Sequence, residues 1–113
     1  MNIDNDQLRS LLDAGTPIVD VRTSDEWRET GVISDSHLLT FFDGLGRFDA
    51  EAWYAQFEKV AGPETPVILI CHSGTRSKVI GFWLSQSLEY HTVYNVSRGI
   101  VDWRKNGGST VAP

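Results

Sequence analysis

Apolar positions along the chain follow two alternating rhythms, short β-branched runs and helical stripes, separated by glycine, proline and capping residues. Asp4 can cap a first helix, with Gln7 three residues on, Gly15 past the end, and Leu8, Leu11 and Leu12 as its stripe. Ile18-Val19-Asp20-Val21 after Thr16-Pro17 reads as a buried strand. Thr23 and Glu26 form a capping box that opens a short helix through Trp27, stopping at Gly31. Val32-Ile33 and His37-Leu38-Leu39 read as short strands, and Phe41 to Gly46 as an irregular connection. Asp49 caps a helix carrying Ala52, Trp53, Phe57 and Val60 that ends at Gly62-Pro63. Val67 to Ile70 is the strongest strand signal, and a loop from Cys71 to Arg76 leads into a helix starting at about Ser77, with Val79, Ile80, Trp83, Leu84 and Leu88. Thr92 to Val96 reads as a further strand and Ile100 to Lys105 as a short helix stopped by Gly107-Gly108. This alternation predicts a single α/β domain over residues 1–113, with a doubly wound, mostly parallel five-stranded sheet and helices on both faces.

Composition narrows the classes of function. The 113 residues are 41% hydrophobic and 22% charged, an ordinary globular balance, with a net charge of −5. No basic run exists to meet a phosphate backbone, so nucleic acid is not an expected partner. The longest aliphatic run, Val67 to Cys71, is far short of the ~20 residues that span a bilayer, so no membrane partner is expected. The acidic, polar start Met1-Asn2-Ile3-Asp4-Asn5-Asp6 lacks the pattern of a signal peptide, which makes the cytoplasm the default expectation; a mature exported form would look the same. The lone cysteine, Cys71, can form neither an internal disulfide nor a cysteine-based zinc site. It is either a buried small apolar residue or the chemistry of the protein.

Its surroundings favour chemistry. Ligands of open parallel sheets sit beyond the carboxyl ends of the strands, where Cys71 falls. Gly74 permits a tight curl in the following loop, and the next helix turns its free N–H groups back toward the loop centre. Such a nest of amides holds an anion and favours a thiolate, and Arg76 adds a fixed positive charge. Cys71 is then a candidate nucleophile able to form a covalent intermediate.

Three blocks of sequence resemble the rhodanese family of single-domain sulfurtransferases. They are Asp20-Val21-Arg22 followed by Glu26-Trp27 and Gly31, the loop Cys71-His72-Ser73-Gly74-Thr75-Arg76-Ser77, and Gly99-Ile100-Val101-Asp102-Trp103. The resemblance implies that Cys71 takes sulfane sulfur from a small sulfur-containing anion, a polysulfide or a persulfide donor. It then carries the sulfur as a persulfide and passes it to a thiol, a protein acceptor or cyanide, with no metal or organic cofactor. His72, Ser73, Gly74, Thr75 and Arg76 would form the binding loop. Four residues separate Cys71 from Arg76, one fewer than in cysteine-dependent phosphatases of related fold, which need a wider cradle for a phosphoryl group. A phosphatase or arsenate reductase is therefore the weaker alternative. A rhodanese-like binding or sensing module without turnover is the other, although such a module has no chemical need for Cys71, Gly74 and Arg76. His72 stands where many family members carry arginine, which weakens the attraction for a dianion such as thiosulfate.

Other residues have plainer readings. Asp20 and Arg22, at the end of the first strand, are expected to support the site from behind: Asp20 bonding the loop or nearby backbone, and Arg22 pairing with an acid such as Glu26. Ser73, Thr75 and Ser77 offer hydroxyl groups to the sulfur, or simply loop polarity and a helix cap. His37 and His91 lack metal-like partners and read as structural or surface residues. Trp27, Trp53, Trp83 and Trp103 fall at apolar helical positions, and Phe41-Phe42 would either line the pocket mouth or fill core. A monomer and a homodimer are equally compatible with the sequence.

Overall fold

The computed structural model describes residues 1–113. Its centre is strand β4, Val67–Ile70, whose four apolar side chains are all 0% exposed. A strand buried on both faces must be apolar throughout, and this one lies in the middle of a five-stranded sheet of order β1-β5-β4-β2-β3. The other strands are β1 (Asn2–Ile3), β2 (Ile18–Asp20), β3 (His37–Leu38) and β5 (Val93–Val96), and every pairing is parallel. In register, β4 sets Ile68 beside Ile18 and Val67 beside Val93. Five helices connect the strands: α1 (Asn5–Asp13), α2 (Ser24–Thr30), α3 (Ala50–Phe57), α4 (Thr75–Ser87) and α5 (Gly99–Lys105).

Strand alternation divides the core into two halves. Val67, Leu69 and Cys71 point to one face, where they meet Val19, Val21 and Val93 under Trp53 and Phe57 of α3 and Ile80 and Leu84 of α4. Ile68 and Ile70 point to the other face, against Ile3, Ile18 and Val96 under Leu8 of α1 and Ile100 and Trp103 of α5. The same alternation delivers Cys71 to the α4 side, directly beneath that helix's first turn.

Several sequence expectations are corrected. Val32-Ile33 is not a strand of the sheet; Val32 forms an isolated antiparallel bridge with Val111, and Ile33 packs into the second core half. The fifth strand is instead β1, a two-residue edge too short to show a period, held by Asn95 N–H to Met1 O and Ser97 N–H to Ile3 O. Helix α3 ends at Phe57, and Val60 lies in the turn that follows. Helix α4 begins at Thr75, with Gly74 as N-cap and no side-chain cap from Thr75 or Ser77. Val79 does not reach the core: it is 57% exposed beside Phe82 on the outer face of α4. Phe41 is core, packed edge-on against Trp53 and Trp83, and Phe42 lies half-buried against it. Trp53 and Trp103 are buried on the sheet, whereas Trp27 and Trp83 are only partly covered.

Arg22 also finds a different partner. Its guanidinium and the Asp20 carboxylate are both fully buried and joined by Nη2–Oδ2 at 2.8 Å and Nε–Oδ1 at 3.0 Å. The remaining donors reach Thr30 Oγ1 at 2.8 Å and Gly31 O at 3.0 Å, placing a cation at the C-terminal end of α2. Glu26 offers Arg22 only its backbone carbonyl, at 3.4 Å. Removing one member of such a pair strands the other charge in the core, at a cost of about 3–5 kcal/mol. Asp20→Asn should therefore lower the melting temperature by more than about 12 °C, at 4–8 °C per kcal/mol for a domain near this size. Asp25→Asn, which breaks the exposed pair with Arg28, should shift it by only ~2 °C. Thermal unfolding of the two variants side by side checks both expectations.

Candidate active site

Cys71 leaves β4 at its carboxyl end and is 1% exposed. The backbone then curls through Gly74, at φ 95°, and enters α4. The curl brings three polar groups to the sulfur: the N–H groups of Gly74, at 3.2 Å, and Ser77, at 3.4 Å, donate to it, and Ser77 Oγ lies 3.2 Å away. Two of them come from the first turn of α4, where backbone N–H groups have no partner within the helix. The N–H groups of His72, Ser73, Thr75 and Arg76 bond to no other atom of the chain. Cys71 Sγ thus sits at the floor of a loop whose amides are available to a negative atom held above it.

The loop is held in this form from behind. Ile100 N–H bonds Cys71 O at 2.9 Å, and Val101 N–H bonds His72 O at 3.2 Å, so the loop carbonyls are taken up by the first turn of α5. Two glycines permit the contact. A Cβ on Gly99, at φ 65°, would lie 2.2 Å from His72 O, and one on Gly74 would lie 2.2 Å from Ser97 O. The Gly99-Ile100 block is therefore part of the site, although it contributes no side chain to it.

Arg76 does not bond the sulfur. It grips Glu26 through two parallel hydrogen bonds, Nη1–Oε1 at 2.8 Å and Nη2–Oε2 at 2.7 Å. Glu26, expected to pair with Arg22, is thereby committed to Arg76, and its Oε1 also accepts from Thr23 N–H and Oγ1. The hydrogen bond from Arg76, more than any other cause, holds the Glu26 carboxyl down at about 2, against the desolvation that opposes it. The Arg76 guanidinium is pushed up, first by Glu26 and in smaller part by the charges of Cys71 and Asp20.

The remaining sequence candidates separate clearly. Ser77 is the hydroxyl residue on the sulfur; Ser73 and Thr75 are exposed and make no such contact, and the His72 side chain is exposed on the loop. Asp20 bonds Arg22, including its backbone N–H at 3.1 Å, and does not touch the loop. His37 is exposed at the start of β3, and His91 lies 3.2 Å from Glu64 on the surface. One residue escaped the sequence reading: Asn95 of β5 is 5% exposed, with its Oδ1 2.5 Å from Ser77 Oγ. The only signal for it was an amide inside the strand Val93-Tyr94-Asn95-Val96.

Because the folded Glu26 titrates near 2 rather than at its ordinary 4.5, the pair's stabilisation is fully present above about pH 4.5 and is lost as pH falls toward 2. Both side chains are about a quarter exposed, which limits the effect to roughly 1–2 kcal/mol. Glu26→Gln should cost that much at pH 7 and nearly nothing at pH 2, as urea unfolding at the two pH values would show. An equal cost at both would place the loss outside the ion pair.

Comparison with known proteins agrees with this geometry. A family model described as the rhodanese-like domain matches residues 4–106. Among solved structures, the M. tuberculosis protein Rv0390 is 21% identical with a TM-score of 0.79, the match covering 99% of this chain and 97% of that one. The polysulfide-sulfur transferase of Wolinella succinogenes is 21% identical with a TM-score of 0.74, over 98% of this chain and 77% of its own. A Rhodopseudomonas palustris protein of unknown function, a possible tyrosine phosphatase, is 20% identical with a TM-score of 0.71, over 97% of this chain and 83% of its own. No curated protein matches the sequence. The paired Glu26 and Arg76, the curled Cys71 loop and the Gly99 turn behind it lie within the matched residues, and the chain belongs to the rhodanese-like domain family.

Proposed function

We propose that this protein is a sulfurtransferase that carries sulfane sulfur as a persulfide on Cys71. The carrying observation is the pair of amides that donate to the sulfur within 3.4 Å, with Ser77 Oγ at 3.2 Å beside it and four further free amides in the loop. In the first half-reaction the Cys71 thiolate attacks the outer sulfur of a donor. One S–S bond forms, the donor's own bond to that sulfur breaks, and the donor remnant leaves with the electron pair: sulfite from thiosulfate, a thiolate from a persulfide. In the second, cyanide or an acceptor thiolate attacks the terminal sulfur, and Cys71 departs as thiolate. The protein undergoes no net redox change, and no step asks for a metal or organic cofactor.

The loop's part is electrostatic. The transferred sulfur carries the negative charge of the persulfide, and the free N–H groups of the loop suit that charge without reorganising. Arg76, held by Glu26, contributes its field at a distance rather than a bond. The four-residue spacing between Cys71 and Arg76 supports a single sulfur as the cargo over a phosphoryl group. Donors are small sulfur-containing anions or persulfides, acceptors are thiols, and the chain has no helix long and apolar enough to cross a membrane.

Thiocyanate formation from cyanide and a panel of donors tests this reading. Cys71→Ser should keep the melting temperature nearly unchanged and reduce turnover below about a hundredth of wild type, because removing a nucleophile costs several orders of magnitude. Residual turnover above that level would reject the covalent route. Absence of turnover with every donor would favour the binding-module reading, and hydrolysis of an aryl phosphate would favour the phosphatase. His72→Arg adds a fixed charge at the exposed loop and should lower KM for thiosulfate several-fold with kcat little changed. That gain should fade as salt rises and be absent for an uncharged donor. A tenfold loss of kcat for all donors would instead place His72 in the chemistry.

A further inference from the structure

The Ser77 hydroxyl has one proton and three acceptors in range: Asn95 Oδ1 at 2.5 Å, Cys71 Sγ at 3.2 Å and Gly74 O at 3.5 Å. The orientation of the Asn95 amide decides between them. Its nitrogen lies 3.2 Å from Gly74 O, a backbone carbonyl that can only accept, and 3.0 Å from Asn2 Oδ1. The NH₂ group must face these two, so the amide oxygen must face Ser77. Asn95 is 5% exposed, and little water competes for the contact.

With its proton on Asn95, Ser77 presents an oxygen lone pair to the sulfur. A thiol complements that arrangement, because S–H can donate to Oγ. A thiolate does not. It calls for the hydroxyl to turn, which would leave two oxygens 2.5 Å apart with no proton between them. A persulfide fits again, since its negative charge has moved from Sγ to the terminal sulfur. We propose that Asn95 is a positioning residue which, by holding the Ser77 hydroxyl, disfavours the free Cys71 thiolate relative to the thiol and the sulfur-loaded form. The consequence is a carrier that rests loaded rather than as a bare nucleophile. That consequence rests on the sulfur-transfer reading; the thiol–thiolate balance does not.

The charged and titratable groups around Cys71 are Arg76 with its partner Glu26, exposed His72, the buried Asp20–Arg22 pair at the end of β2, exposed Lys78 on α4, and exposed Arg98 before α5. All of them remain in each variant compared below, so their contributions cancel in the comparison.

The test is the pH profile of Cys71 alkylation by iodoacetamide, which reads the thiolate without any sulfur transfer, so its failure and failure of the transfer reading are distinguishable. Asn95→Leu frees the hydroxyl to donate to the thiolate. The profile should move to lower pH, with about a tenfold faster rate on its acid limb. In a Ser77→Ala background the same substitution should move nothing. Asn95→Asp keeps an acceptor for the hydroxyl, and its profile should not move to lower pH. A profile that stays in place or moves to higher pH in Asn95→Leu would overturn the proposal, as would an equal displacement with and without the Ser77 hydroxyl. Should Asn95→Leu fail to fold, Asn95→Ala removes the same acceptor with less bulk. A displacement to lower pH in Asn95→Asp would also overturn the proposal.

Discussion

The carbonyl groups of Cys71 and His72 are taken up by the first turn of α5, and what the sulfur meets depends on that orientation. A peptide unit that turns its C=O outward turns its N–H the other way. Once α5 holds the carbonyls of Cys71 and His72, the N–H groups of His72 and Ser73 point away from α5. The contact needs backbone against backbone, which no side chain at Gly74 or Gly99 would allow. Strand β4 fixes where the loop starts, α4 supplies its amides and α5 sets its orientation. The two core halves hold these elements together, Ile100 and Trp103 on one face and Ile80 and Leu84 on the other.

This arrangement lets an acidic protein favour an anion. The net charge of −5 lies mostly on exposed side chains, where solvent and salt screen it, whereas the amides are adjacent to Cys71 Sγ. The buried Arg22 and the half-buried Arg76 are each balanced by a carboxylate, Asp20 and Glu26 respectively. The first pair fastens the end of β2 to the end of α2. The second ties the Cys71 loop to the start of α2. Both sit beside the site without touching the sulfur, so the local preference for negative charge comes mainly from oriented dipoles.

The sequence showed best what depends on local pattern. The β-branched run Val67 to Ile70, the capping boxes at Asp4 and Thr23 and the cap at Asp49 all stand where their spacing placed them. Features set by tertiary contact were misread or unseen. Val32-Ile33 is as apolar as a strand, yet its burial comes from the chain terminus at Val111 and from the second core half. Strand β1 has two residues and no period. Glu26 is within helical reach of Arg22, but the partner that claims it lies fifty positions along the chain, at Arg76. Asn95 carried only the signal of an amide inside a strand, because its partners Ser77 and Gly74 come from the loop and helix that follow another strand.

Whether Cys71 carries sulfur in the amide loop, as proposed, is read most simply from the intact mass of the protein after incubation with thiosulfate, polysulfide and an organic persulfide. The protein should gain the mass of one sulfur atom with at least one donor, cyanide or a thiol should remove it, and Cys71→Ser should gain nothing. A wild-type mass unchanged by every donor, or a sulfur adduct that persists in Cys71→Ser, would contradict the proposal.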